Sequence, residues 1–161
     1  QGFVQQAMVL GACPAGNELC MAGETVVKIE SPLPVDFTAN AGWYVDFPVL
    51  GERINVEMSL VRNILSVTTN TPKIAACVPI GESHRYFLDY KTGVAIASDG
   101  VAGINAGNNF SNTGKPFIDA KGTLHFMKKC DGINCEVVES PPNKVPGLGT
   151  RRTSWRELVS E

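Results

Sequence analysis

Histidine is nearly absent from this chain. It occurs only at His84 and His125, and neither has a second His, Cys or carboxylate at ligand spacing. Both read as structural, His84 solvated before a strand and His125 on a strand face, rather than as metal ligands or acid–base groups. The Gly-x-Ser-x-Gly nucleophile signature and the phosphate-binding Gly-x-x-x-x-Gly-Lys-Ser/Thr loop are missing. The 14 Lys and Arg form no block and stand against 16 Asp and Glu, for a formal net charge of -2. That removes the electrostatic basis for general nucleic-acid binding. No apolar run approaches the roughly 20 residues that cross a bilayer, so no transmembrane segment is expected. A helical apolar period is also lacking. No initiator Met and no basic-then-apolar leader stand at Gln1, so the chain reads as a processed product.

What remains is β-rich. Short runs of β-branched and aromatic residues recur about every ten positions, separated by turn formers. Phe3 to Leu10 and Glu24 to Glu30 bracket a cysteine loop as a hairpin, and Trp43 to Phe47 is an aromatic strand closed by Pro48. Arg53 to Ser59 and Ile64 to Thr69 form a second hairpin, turning near Arg62 and Asn63. Arg85 to Tyr90 and Val94 to Ala97 form a third, and Pro116 to Asp119 with Thr123 to Lys129 a fourth. The Gly, Asn, Ala and Ser content of residues 99–114 predicts a flexible surface loop. Residues 140–149 read as an extended Pro/Gly linker before a final strand or short helix at Arg151 to Leu158. A single all-β domain fits, strand-rich over 1–98, with the Gly/Asn loop at 99–114 and closing strands and tail over 115–161.

Five cysteines add a constraint. Cys13 with Cys20 and Cys130 with Cys135 flank short turn-rich loops, which suits local disulfides in an oxidising compartment. A zinc site built from the two pairs is the rival reading, weakened by spacings that depart from the usual knuckle. Cys77 is left over, either a buried thiol or paired with sequence outside this chain. Asp99, Asn105, Asn108, Asn109 and Asn112 place one carboxylate among amides, too little charge for a strong calcium site. Trp43, Tyr44 and Phe47 read as core rather than as a sugar platform. Asp46 and Glu52 read as partners in a strand-end salt bridge or hydrogen bond rather than as a glycosidase pair. No catalytic residue and no cofactor site is evident.

The segment Phe87 to Gly93 is more specific. Asp89 can accept bonds from the turn backbone, Thr92 can cap the same turn, and Gly93 supplies positive φ. This unit resembles the hairpin of quinoprotein-like propeller blades. Three further features accompany it: Gly42-Trp43-Tyr44 within Pro34 to Pro48, then Gly51-Glu52-Arg53, then Val67 to Pro72 with Cys77 behind it. The tail carries Arg151, Arg152, Ser154, Trp155 and Arg156. Their order resembles the C-terminal region of the PilY/PilC-type family of type IV pilus biogenesis factors and tip adhesins.

That resemblance implies the terminal blades of a modified, quinoprotein-like β-propeller with antiparallel sheets. It also implies a non-enzymatic bacterial protein of the periplasm, outer surface or pilus tip. Such a protein supports pilus biogenesis, retraction control and surface adhesion. Its partners would be pilins or minor pilins, host-surface ligands, and the remainder of its own polypeptide. The family's Asp-rich calcium loop has no counterpart here, so calcium would come only from a site upstream of this chain. Two or three blades leave open flanks, which predicts coverage by the rest of a larger protein. A self-assembling or stand-alone extracellular binding module is the alternative. A quinoprotein-like dehydrogenase fragment fits less well, because the acidic cluster and the tryptophan platform are missing. The exposed segments 99–114 and 140–149 are the expected contact elements.

Overall fold

A computed structural model describes residues 2–73, 80–108, 110–111, 116–131 and 134–139. These form eleven strands in three sheets and no helix. The central sheet has six antiparallel strands in the order β2-β3-β8-β7-β6-β5. They are β2 (Val9–Ala12), β3 (Thr25–Lys28), β5 (Ser59–Val61), β6 (Ile64–Lys73), β7 (Ile80–Asp89) and β8 (Val101–Gly107). One face is crossed by a two-stranded sheet of β1 (Gly2–Gln6) and β4 (Asn40–Val45). The other is covered by the cysteine loop and a three-stranded sheet of β9 (Phe117–Ile118), β10 (Leu124–Asp131) and β11 (Asn134–Glu139).

Alternation along the long β6–β7 pair assigns side chains to these faces. Register runs from Ile64 opposite Asp89 to Lys73 opposite Ile80. Leu65, Val67 and Thr69 therefore share a face with Leu88, Tyr86 and His84, while Ile64, Ser66 and Thr68 share the other with Phe87 and Arg85. Tyr86, Leu88 and Val67 join Val27, Ile29 and Ala102 in one core, against which Trp43 and Phe47 pack. Ile64 and Phe87 join Val26, Ile104, Leu124 and Phe126 in the second. The Phe87 and Phe126 rings meet edge-on with centroids 5.1 Å apart.

Several sequence expectations change. Within the stretch 99–114, expected as a surface loop, residues 101–107 instead form β8, with Val101, Ala102, Ile104 and Ala106 buried at the centre of the sheet. The run from Phe3 to Leu10 divides, β1 pairing with β4 and β2 with β3. The β1–β4 pair is parallel, an exception to the expected antiparallel sheets. Residues 7–39 separate the two strands, long enough to return the chain in the same direction. Of the second expected hairpin, β5 and β6 turn at Arg62 and Asn63, whose φ values of 49° and 67° fit a tight primed turn. Arg53 instead makes an isolated bridge to Asn70.

Cys13 and Cys20 lie at disulfide distance in the loop that closes the β2–β3 hairpin. Both sulfur-bearing residues are buried within the second core rather than displayed at its edge. Cys130 faces Cys135 in the β10–β11 register. Cys77, the linker at 140–149 and the tail residues Arg151, Arg152, Ser154, Trp155 and Arg156 lie outside the described residues.

Candidate interaction site and its support

The Asp89 turn is built as its residue types dictate. One carboxylate oxygen accepts from the Lys91 and Thr92 amides, at 3.0 and 2.9 Å, and from the Thr92 hydroxyl at 2.9 Å. Gly93 adopts φ 71° and donates its N–H to the Asp89 carbonyl at 2.7 Å. It has a second reason to be glycine: an added Cβ would sit 2.3 Å from the Trp43 ring. Trp43 in turn donates its indole N–H to the Tyr90 carbonyl at 2.9 Å. Gln6, fully buried, donates to Thr92 O and Leu33 O and accepts from the Leu33 amide. The turn, β1, β4 and the segment at Leu33 are thus one joint.

Gly42 and Tyr44 lie on the outer side of that joint. The Phe3 ring passes 3.5 Å from the position of a Cβ on Gly42. Phe47 stacks obliquely on Tyr86, centroids 4.9 Å apart. Tyr44, expected in the core, is 44% exposed, because β4 packs on the sheet through Trp43 and turns its next side chain outward. Asp46 accepts from Gln5 at 2.9 Å.

Gly51, Glu52 and Arg53 hold a strap against β6. Arg53 exchanges both backbone bonds with Asn70, at 3.1 and 2.9 Å. The Glu52 carboxylate is wholly enclosed; one oxygen accepts from Thr69 and, at 2.6 Å, from the Tyr86 hydroxyl. Burial, and next the charge of Glu52, push the Tyr86 hydroxyl far above the ordinary phenol range, so it stays a proton donor to that carboxylate. His84 is buried beside them, its Nδ1 3.7 Å from Glu52, rather than solvated before a strand. Among the described residues, that Nδ1 and the second Glu52 oxygen have no hydrogen-bond partner. The group holds the strap against β6 and β7.

On the opposite face a second polar layer escaped sequence reasoning. Ser83 donates to Asn70 Oδ1 at 2.6 Å, and the Ser111 amide reaches the same oxygen at 2.9 Å. Arg85 is 1% exposed and bonds Thr68, Ser111 and the Met127 carbonyl. Burial lowers its pKa from the ordinary guanidinium value. Residues 64–69 read in sequence as a strand buried in a stacked sheet, and Ser66, Thr68 and Asn70 are buried, polar as they are, beneath the segments that cover this face. His125 lies on β10, as expected of a strand-face residue, with Nε2 3.1 Å from Asp119 and its ring stacked on Phe117.

Among the described residues, those weighed for calcium do not share one loop. Asp99 bonds the Val101 amide and Asn17, Asn105 lies within β8 and bonds Gly107, and Asn109 and Asn112 lie outside the described residues. Among the described residues no three His, Cys, Asp or Glu come together to hold a metal. No described helix is long and apolar enough to cross a membrane. No protein-family model, curated protein or solved structure matches the chain.

Proposed function

We propose that this chain is a non-enzymatic part of a type IV pilus assembly and tip factor of the PilY/PilC type. In this reading it carries terminal blades of a modified β-propeller at the bacterial surface or pilus tip, and binds pilins or minor pilins. The observation that carries the reading is the joint just described: Trp43, remote in sequence, closes on the turn formed by Asp89, Thr92 and Gly93. That two of the motif segments meet in this way supports the reading.

The test is immobilised chain against purified soluble domains of major and minor pilins. Saturable binding of a minor pilin is expected; no binding by any pilin, at concentrations up to about 100 μM, overturns the reading.

A further inference from the structure

Where β8 begins, the central sheet divides. The chain continues from β3 through Ile29 to Pro32, while the return arm of the Asp89 hairpin, residues 94–97, runs beside the end of β7. Between them lies a groove of about 660 Å³, walled by Lys28, Ile29, Glu30 and Pro32 on one side and residues 94–100 on the other. That volume falls within the range of about 300–1,000 Å³ typical of ligand sites. Its ends are tied. Ile29 donates to the Gly100 carbonyl at 2.9 Å, and Gln6 links Leu33 to Thr92.

The arm has one edge in use. Asp89 donates to the Val94 carbonyl at 2.9 Å and Ile96 donates to the Phe87 carbonyl at 3.3 Å. Backbone groups of an extended strand alternate in direction, so the N–H and C=O of Ala95 point away from β7 and toward the groove. The side chains are already committed: Ala95 packs on the core with Tyr86, and Ile96 and Ala97 on the core with Phe87. The groove therefore offers a strand edge rather than a side-chain pocket. Its rim is acidic. Glu30, with a side chain 62% exposed, and Asp99 border it, and Glu18 lines an adjoining depression of about 190 Å³. Lys28 is the one cation on these walls, and its ammonium lies 3.8 Å from Glu30.

We propose that this groove binds an extended segment of another polypeptide, paired to the backbone of Ala95 and carrying a Lys or Arg toward Glu30, Asp99 and Glu18. Main-chain bonds supply the attachment, as in other strand-addition sites, and the acidic rim selects the sequence. The inference rests on the sheet geometry and stands apart from the pilus reading.

The probe is a blocked seven-residue peptide of alternating threonine and valine with a central lysine, compared with a twin carrying a central glutamate. Both are titrated into the isotope-labelled chain while amide shifts and exchange are followed. The lysine peptide should slow exchange of the Ala95 amide about tenfold at saturation. It should bind about fivefold more tightly than its twin, and Glu30→Lys, a substitution at an exposed position, should reverse that order. No binding at millimolar peptide, equal binding of the twins, or shifts centred on the edge strands at Leu10 or Leu60 would each overturn the proposal.

Discussion

The hairpins at Asp89 and Asp119 begin from nearly the same residues, Phe87-Leu88-Asp89-Tyr90-Lys91 and Phe117-Ile118-Asp119-Ala120-Lys121. In each, one carboxylate oxygen gathers the amides of the turn: Lys91 and Thr92 in the first, Lys121 and Thr123 in the second. In each a glycine with positive φ returns an N–H to the aspartate carbonyl, at 2.7 Å for Gly93 and 3.0 Å for Gly122. Their surroundings differ. Trp43 and Gln6 close over the first, and Phe87 is 2% exposed. Nothing lies within 4 Å of a Cβ placed on Gly122, and Phe117 is 44% exposed. Local chemistry is thus sufficient to shape a hairpin, while tertiary cover decides how much of the fold depends on it.

The largest expected departure comes from the two glycines. Gly93→Ala forces an unfavourable φ and drives a methyl into the Trp43 ring, and should cost about 3–5 kcal/mol in urea unfolding. Gly122→Ala meets only the backbone cost and should lose about 1–2 kcal/mol. Equal losses would break the contrast. Asp89→Ala removes three hydrogen bonds and should cost about 2 kcal/mol, with a smaller loss for Asp119→Ala. Trp43→Phe keeps most of the ring but deletes the donor to Tyr90. A loss of about 1 kcal/mol is expected, and no change would mean that cover comes from ring packing alone.

The smallest effect concerns pH. The hydrogen bond from His125, followed by that from the Thr123 amide, holds the Asp119 carboxyl below its ordinary value. A carboxyl with a depressed folded pKa stabilises the hairpin above its unfolded value near 4, and that contribution is lost as pH falls through the lower folded value. Exchange of the Thr123 amide should therefore quicken below about pH 4, relative to its intrinsic rate. If the Thr92 amide quickened first, the order of the two hairpins would be reversed.

The Asp89 hairpin was legible because its signal is local: a carboxylate, a hydroxyl and a glycine at fixed offsets. Its kinship with Asp119 was missed because the second turn exchanges the order of Thr and Gly, although Phe, an aliphatic residue, Asp and Lys recur at matching positions. Misreading β8 as a loop has a different cause. Gly103 lies under the Tyr86 ring, where a Cβ would come within 2.5 Å, and Ala102 and Ala106 are almost wholly buried beside it. Glycine is needed at 103 because a large aromatic crosses it, yet small residues are also what loops contain. The enclosed Glu52 and Arg85 could not be found from one sequence, since burial of a charge depends on segments that pack from afar.

Arg85 carries a consequence for how the molecule comes apart. Its guanidinium rises from the central sheet to the Met127 carbonyl of β10. Were β9 to β11 to lift away while the rest stayed folded, that cation would lose this acceptor and Leu124 and Phe126 would leave the core they share with Phe87. A half-open state of this kind combines a weakened buried charge with newly wetted aromatic surface, and both are costly. The two layers should therefore melt in a single transition, making the small sheet a cooperative partner of the large one rather than an appendage to it.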